Sequence, residues 1–119
     1  MADSHEDLAS EAKAEVQQTG VDTAHEALVS GEDITIVDVR ESDEYEAEHI
    51  PQAKHIPRGM LKQRAAEELP EKSIRIVTHC NAGGRGSLAA QSLQELGYTN
   101  VANMEGGLNA WRERGYETE

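Results

Sequence analysis

Two runs of β-branched residues, ITIVDV at 34–39 and SIRIVTH at 73–79, do most to constrain the fold of this chain. Neither run sustains a polar–apolar alternation, and such strands are typical of a sheet that is covered on both faces. Weaker strand patterns lie at 54–56 and 100–104. Helical patterns separate the strands, at 21–31, 60–69 and 87–96. This alternation predicts an α/β fold with a mostly parallel sheet of four or five strands, right-handed crossovers and helices on both faces.

The length of 119 residues suffices for one domain with a single hydrophobic core. Ahead of this domain, Leu8, Ala12 and Val16 are spaced four apart, which predicts a thin amphipathic helix over residues 4–17, ended by Gly20. The sequence therefore divides into an N-terminal helical extension, residues 1–20, and a domain, residues 21–119. We expect the extension to carry no chemistry.

Acidic residues outnumber basic residues 23 to 11, which gives a formal net charge of -12. This charge repels nucleic acid, so no nucleic-acid partner is expected. The first 20 residues lack the apolar core of a signal peptide, and no run approaches the roughly 20 apolar residues of a membrane span. Cys80 is the single cysteine and cannot form an internal disulfide, and no Cys/His cluster offers zinc ligands. We expect a cytoplasmic protein that needs neither membrane, metal nor cofactor.

The single cysteine ends the second strong strand and precedes a run of small residues, HCNAGGRGS at 79–87, which leads into a helix predicted from Ser87 to Leu96. In an open α/β sheet, ligands bind beyond the carboxyl ends of the strands. Glycines let the backbone curl so that successive N–H groups turn inward and form an anion site at a helix N-terminus. If that anion is the sulfur of Cys80, these groups favour the thiolate and make it nucleophilic. A buried structural cysteine before an ordinary turn is the alternative.

Together with this loop, the segments IVDVRESDEYEAEHIPQAKHIP before it and NVANMEGGLNAW after it resemble a single-domain rhodanese, a sulfurtransferase. The resemblance covers about residues 21–115 and implies the rhodanese-like fold. It also implies that Cys80 is the catalytic cysteine and that residues 81–85 complete a six-residue active-site loop. Two positions depart from the family pattern. Gly86 replaces the usual Ser or Ala and is expected to loosen the loop, and Glu48 stands where Gly is common.

The loop length distinguishes two chemistries, because four residues separate Cys80 from Arg85 whereas the related phosphatases have five. A smaller loop suits one sulfur atom better than a phosphate group, so the prediction is sulfur transfer. By resemblance, the Cys80 thiolate attacks the outer sulfur of an anionic donor such as thiosulfate, becomes a persulfide, and passes the sulfur to cyanide or a thiol. Two alternatives stay open: a persulfide carrier that serves one protein partner, and a cysteine-dependent phosphatase.

The residues assigned to binding the donor are Asn81, Ala82, Gly83, Gly84, Arg85, Gly86 and Arg58. Arg85 either holds an anionic donor or pairs with Asp38 and braces the loop. The resemblance makes Asp38 and Arg40, at the end of the first strong strand, scaffold residues. It also places Arg58, in HIPRGM, near the pocket mouth, where it is a candidate for attracting sulfonate-like donors.

Four further features receive structural interpretations. Glu105, in MEGG, is a candidate for a hydrogen bond to the loop, and the glycines after it permit unusual backbone angles. His79 points to the opposite face of the strand from its cysteine neighbour, which favours a structural role. His49 and His55 lack the further ligands of a metal site. Trp111 is predicted to pack in the core under the last helix.

Overall fold

A parallel sheet forms the centre of the molecule in the computed structural model, which describes Leu8, Glu11, Ala12 and residues 15–82 and 84–119. The five strands are β1 Gln17–Thr19, β2 Ile34–Asp38, β3 Lys54–His55, β4 Arg75–His79 and β5 Val101–Met104. Their order is β1-β5-β4-β2-β3, and every neighbouring pair is parallel. The predicted α/β sheet is therefore confirmed. Because all strands run in one direction, the carboxyl ends of β2 and β4 meet at one edge, where Asp38 lies opposite His79.

Five helices follow β1 in the described part of the chain. They are α1 Val21–Val29, α2 Ser42–Ala47, α3 Leu61–Glu68, α4 Gly84–Glu95 and α5 Gly107–Glu113, and a 3-10 turn spans Arg58–Met60. The predicted start of α4 at Ser87 is wrong by three residues. Glycine has a low helix propensity, but a tertiary contact holds this first turn, since the Thr78 hydroxyl donates to the Gly86 carbonyl with an O–O distance of 2.8 Å. None of the described helices is both long enough and apolar enough to span a membrane.

Helices cover both faces of the sheet, as predicted. On one face, α3 and α4 pack against a core that includes Val37 and Cys80. On the other face, α1 and α5 pack against Ile36. Successive residues of a strand point to opposite faces, which is why Ile36 and Val37 belong to different clusters. Trp111, on α5, is 1% exposed within the second cluster, so its predicted place in the core is confirmed.

The sheet begins inside the segment for which the sequence predicts a helical extension. Leu8, Glu11, Ala12 and Glu15 have helical backbone, but Gln17–Thr19 forms β1 and pairs with β5. The prediction of a helix that ends at Gly20 is therefore wrong for these three residues. A strand of three residues has too short a pattern to compete with the helical periodicity before it.

Side chains also join β1 to the domain. Gln18 accepts a hydrogen bond from Asn103 Nδ2 at 2.9 Å, and its own Nε2 donates to Ser87 Oγ on α4 at 3.3 Å. The residues of the predicted helix at 4–7, 9–10 and 13–14 lie outside the described residues, and the domain boundary at residue 21 stays a prediction.

Candidate active site

Cys80 follows β4 directly and is 2% exposed, so its sulfur lies at the base of the site. The start of α5 holds the backbone around it. The Leu108 N–H donates to the Cys80 carbonyl at 2.8 Å, and the Asn109 N–H donates to the Asn81 carbonyl at 3.0 Å. Only a glycine fits before them, because a Cβ at Gly107 would lie 2.3 Å from the Cys80 oxygen. Because α5 lies this close to Cys80 and Asn81, it fixes the direction in which the chain leaves β4.

The glycines of this contact have the backbone angles that the MEGG motif predicts. Gly106 has φ 80° and Gly107 has φ 54°. The neighbouring Glu105 donates its N–H to the Thr19 carbonyl at 2.8 Å, and its side chain is exposed. A hydrogen bond from the Glu105 side chain to the active-site loop stays a prediction.

Arg85, in the first turn of α4, interacts with a carboxylate and with the Cys80 sulfur. Its Nη1 and Nη2 donate to Glu44 Oε1 and Oε2 at 2.7 and 3.0 Å. The hydrogen bond to Glu44 is the main cause that raises the pKa of Arg85 above its ordinary value. Burial opposes the rise, and the charge and hydrogen bonding of the Cys80 sulfur add to it. Arg85 therefore interacts with Cys80 as well as Glu44, and the predicted alternative of a pair with Asp38 is wrong because Asp38 pairs with Arg40.

Glu44, on α2, is the residue that the sequence analysis missed. Besides Arg85, its carboxylate accepts the Asn81 Nδ2 at 3.0 Å and the Glu41 backbone N–H at 3.0 Å, so each oxygen accepts two hydrogen bonds. The bond from Arg85 is the chief reason that the pKa of Glu44 falls to about 2. Its only signal in the sequence is the capping box that Glu41 and Glu44 form at the start of α2.

If the chain catalyses the sulfur transfer that the sequence predicts, replacing Glu44 with Gln should lower kcat/KM for that reaction by about tenfold. The side-chain NH2 of glutamine would face N–H groups that can only donate. Arg85 would therefore keep only one of its two hydrogen bonds to residue 44. The matched control is Glu48→Gln, because Glu48 has a similar exposure (32% against 27%) and pairs with Arg112 instead. Steady-state kinetics of both variants give the comparison, and Glu44→Asp should recover part of the loss. Equal effects of Glu44→Gln and Glu48→Gln would contradict a positioning role for Glu44.

Behind Arg85 lies a fully buried ion pair. Arg40 Nη2 donates to Asp38 Oδ2 at 2.8 Å, and its Nε donates to Asp38 Oδ1 at 3.0 Å. Burial opposes ionisation of Asp38, but the hydrogen bonds and charge of Arg40 hold the pKa of Asp38 below its ordinary value. Arg40 Nη1 also donates to Asn81 Oδ1 at 3.2 Å, and Nη2 donates to the Glu48 carbonyl at 2.6 Å. Asn81 thus connects the buried pair to Glu44, and the scaffold role predicted for Asp38 and Arg40 agrees with this geometry.

Glu48 occupies the position where the family commonly has glycine. Its φ of -170° is extended backbone that any residue adopts, so the substitution causes no strain there. Its side chain accepts hydrogen bonds from Arg112 Nε and Thr118 Oγ1, both at 2.7 Å. Glu48 therefore ties the end of α2 to α5 and to the C-terminal residues.

His79 is fully buried and lies beneath the site. Its Nδ1 lies 3.1 Å from the Cys80 carbonyl, which can only accept, so Nδ1 carries the proton. Its Nε2 is 3.7 Å from Asp38 Oδ2 and has no hydrogen-bond partner among the described residues. Burial lowers the pKa of His79 more than the Asp38 carboxylate raises it. The neutral ring supports the backbone of Cys80, in agreement with the predicted structural role.

The free energy of unfolding is expected to decrease as the pH falls below 6.5, the ordinary pKa of histidine. Below that pH the unfolded His79 binds a proton that the folded ring still resists, so protonation favours the unfolded state. His79→Asn should make the decline shallower. Urea unfolding of both proteins between about pH 8 and pH 5 measures the two slopes. Identical slopes would show that His79 is not the group responsible.

Gly86 departs from the family pattern for a reason that the structure makes clear. It is buried, and a Cβ at this position would lie 2.1 Å from Asn103 Oδ1 and 3.2 Å from the Cα of His79. The space that a Ser or Ala side chain needs is filled by the Asn103 amide of β5. The backbone at Gly86 is therefore in close contact with its surroundings, and the expectation that Gly86 loosens the loop stays a prediction.

The other residues that the sequence assigns to donor binding differ in exposure. Ala82 is exposed, Gly84 is half-buried, and Gly83 lies outside the described residues. Arg58 is exposed on the 3-10 turn, and its N–H donates to the Val39 carbonyl at the carboxyl edge of the sheet, at 3.0 Å. The inward orientation of the loop amides toward the sulfur stays a prediction.

His49 and His55 pack against one aromatic ring, Tyr45. The ring centroids of Tyr45 and His49 are 3.9 Å apart, and those of Tyr45 and His55 are 4.4 Å apart, with nearly parallel planes. His55 Nε2 also lies 2.9 Å from the Arg40 carbonyl. Packing therefore accounts for both histidines, as the sequence analysis expects.

The fold and the cysteine loop define a rhodanese-like domain. The family model for that domain matches residues 21–114, and the chain belongs to this family. Over 70 residues it is 39% identical to the thiosulfate sulfurtransferase PspE of Escherichia coli, covering 59% of this chain and 67% of PspE. Over 102 residues it is 33% identical to the "Putative sulfur carrier protein YrkF" of Bacillus subtilis, covering 86% of this chain. The chain spans 54% of the length of YrkF.

Solved structures share the same architecture. The Rhodopseudomonas palustris protein RPA3614, of unknown function and described as a possible tyrosine phosphatase, superposes with a TM-score of 0.91 at 30% identity, over 100% of this chain and 96% of that one. A thiosulfate sulfurtransferase from Pseudomonas aeruginosa gives a TM-score of 0.85 at 26% identity, over 97% of this chain and 22% of that one. The resemblance to rhodaneses and the predicted fold are thus confirmed.

Proposed function

We propose that this rhodanese-like protein is an enzyme that moves a sulfane sulfur from an anionic donor such as thiosulfate through a persulfide on Cys80. The observation that carries the proposal is the position of Arg85, whose guanidinium interacts with the Cys80 sulfur while Glu44 holds it in place. A guanidinium in this position can balance the negative charge that the reacting sulfur carries during transfer. The kinship with PspE, a thiosulfate sulfurtransferase, supports the same reaction.

The first step forms one S–S bond and breaks another. The Cys80 thiolate attacks the outer sulfur of thiosulfate, the S–S bond of the donor breaks, and its electron pair leaves with sulfite. Cys80 then carries a persulfide anion. Arg85 and the N–H groups at the start of α4, which have no partner within their own helix, would stabilise the charge on the terminal sulfur. Arg58, exposed at the edge of the site, attracts the anionic donor.

The second step returns the cysteine to its starting state. Cyanide or a thiolate attacks the terminal sulfur, the persulfide S–S bond breaks, and its electron pair returns to Cys80 as thiolate. The product is thiocyanate or a new persulfide, and the two half-reactions predict ping-pong kinetics. Bonds and electrons balance in both steps without a metal or a cofactor. A reducing compartment such as the cytoplasm suits a carrier that must stay a free thiol.

A second candidate is a persulfide carrier that discharges only to one protein, and the kinship with YrkF favours it. A phosphatase is the third. The four-residue spacing between Cys80 and Arg85 opposes it, because a phosphate places three oxygens in the loop where a persulfide places one sulfur.

Two assays on the full chain separate these candidates. After incubation with thiosulfate, intact mass spectrometry should show a gain of one sulfur atom, and cyanide should remove it with release of thiocyanate. A sulfur that is discharged to a protein thiol but not to cyanide or small thiols would favour the carrier. Turnover of an aryl phosphate without any sulfur uptake would overturn the proposal in favour of the phosphatase.

A further inference from the structure

Most cations of this chain are paired with its own carboxylates. Six of the seven arginines form such ion pairs: Arg40–Asp38, Arg64–Glu68, Arg75–Glu32, Arg85–Glu44, Arg112–Glu48 and Arg114–Asp22. Lys72 donates to the Leu96 carbonyl and lies over the Tyr98 ring. Within the described residues, the cations left without any such side-chain interaction are Lys54, Arg58 and Lys62, and all three are exposed.

These three cations belong to elements on the sheet face that holds Cys80. Lys54, on β3, pairs in register with Val37, so its side chain is on the sheet face that holds Cys80. Arg58 begins the 3-10 turn, which packs against both α3 and α4. Lys62 lies in the first turn of α3, one helical turn beyond Arg58. Between Arg58 and Lys62, Met60 is 40% exposed. We call these four residues the basic flank.

The basic flank is a local concentration of positive charge in a strongly acidic chain. No Asp or Glu occurs from Pro51 to Ala66, although the chain has 23 acidic residues. Arg58 and Lys62, four residues apart, repel each other, and Lys62 opposes the positive end of the α3 dipole. None of the three cations forms an ion pair within the described residues. They are therefore available to a partner of opposite charge.

We propose that the basic flank is a docking surface for an acidic segment of a protein that exchanges sulfur with Cys80. This inference rests on the proposed function, and it identifies the partner by charge. Arginine and methionine are enriched in protein interfaces, and an exposed Met60 among cations offers the apolar contact that such an interface needs. The net charge of -12 repels a long polyanion such as nucleic acid over its whole length, whereas a short acidic segment can contact the flank alone.

The test uses the full chain and two synthetic peptides that differ only in charge. Each has one cysteine and one leucine, flanked in one peptide by Asp and Glu and in the other by Lys. With serine in place of that cysteine, fluorescence anisotropy of the labelled peptides reports docking without transfer. With the cysteine present, the rate of discharge from sulfur-loaded protein reports transfer. At low ionic strength the acidic peptide should bind and react about tenfold better, and about 0.5 M salt should remove most of the difference.

Charge-removal variants locate the surface. Lys54→Gln combined with Lys62→Gln should weaken binding of the acidic peptide about fivefold. The matched control, Arg75→Gln combined with Arg114→Gln, removes two cations elsewhere and should leave binding unchanged. Equal binding of both peptides, or equal losses in both double variants, would overturn the docking surface. So would a basic-flank variant that slows only loading by thiosulfate, or tighter binding of a single-stranded oligonucleotide than of the acidic peptide.

Failure of the proposed function has a different signature. In that case thiosulfate adds no sulfur to Cys80, while anisotropy still measures the binding of the serine peptides. The docking surface is therefore tested even if the chemistry is not sulfur transfer.

Discussion

Cys80→Ser is expected to abolish sulfur uptake and to reduce turnover by at least about 1,000-fold, the scale of losses seen when a nucleophile is removed. A serine hydroxyl at neutral pH is a far weaker nucleophile than a thiolate, and the persulfide has no counterpart on oxygen. Arg85 and Glu44 keep their mutual contact in the variant, so the surroundings of the missing sulfur should persist. Intact mass spectrometry after thiosulfate treatment, with thiocyanate release as the second readout, measures the effect.

The control for this experiment is Cys80→Ala, which is needed because Cys80 lies in the core under α3 and α4. A buried hydroxyl without a partner destabilises a protein by about 1–3 kcal/mol, whereas alanine adds no polar group. Both variants should retain the circular dichroism spectrum of the native protein. Residual sulfur uptake by either folded variant would mean that Cys80 is not the carrier.

Gly86→Ala is expected to destabilise the protein by about 2–3 kcal/mol and to impair activity. The new methyl group would lie 2.1 Å from Asn103 Oδ1, closer than any real contact. Asn103 is buried and donates to Gln18 Oε1, so it has little room to retreat. Relief requires α4 to move away from β5, and Arg85, in the same turn of α4, would move with it. Urea unfolding and steady-state kinetics measure the two effects.

A double variant identifies the cause. Asn103→Ala makes space for the methyl group, so Gly86→Ala combined with Asn103→Ala should be more stable than the sum of the two single effects predicts. Gly59→Ala is the matched control, because a Cβ there meets nothing within 4 Å, and it should change stability by less than about 0.5 kcal/mol. Purely additive effects of Gly86→Ala and Asn103→Ala would refute the proposed steric conflict.

The elements that the sequence predicts well are those determined by local pattern. β2 and β4 are buried on both faces, and such strands are continuous runs of β-branched residues. The place of Cys80 follows from topology, because parallel strands bring their carboxyl ends to one edge of the sheet. The glycines of MEGG predict the positive φ angles that allow α5 to approach Cys80.

The features that escape prediction depend on contacts between distant parts of the chain. Glu44 and Arg85 are 41 positions apart, and no local pattern relates a carboxylate on α2 to a guanidinium on α4. Asn103 fills the space beside Gly86, so a residue that differs from the family pattern is explained only by its neighbour in space. The start of α4 at Gly84 contradicts helix propensity and depends on the hydroxyl of Thr78.

The position of β1 determines how much of the chain a shortened protein must keep. The family match starts at residue 21, whereas the sheet starts at Gln17. A protein trimmed to the family boundary would lose β1 together with its backbone and side-chain hydrogen bonds to β5 and α4. The longer strand β5 would then take the place of β1 at the edge of the sheet. The few residues ahead of the family match therefore belong to the folding unit, and we expect a chain that keeps them to be the more stable one.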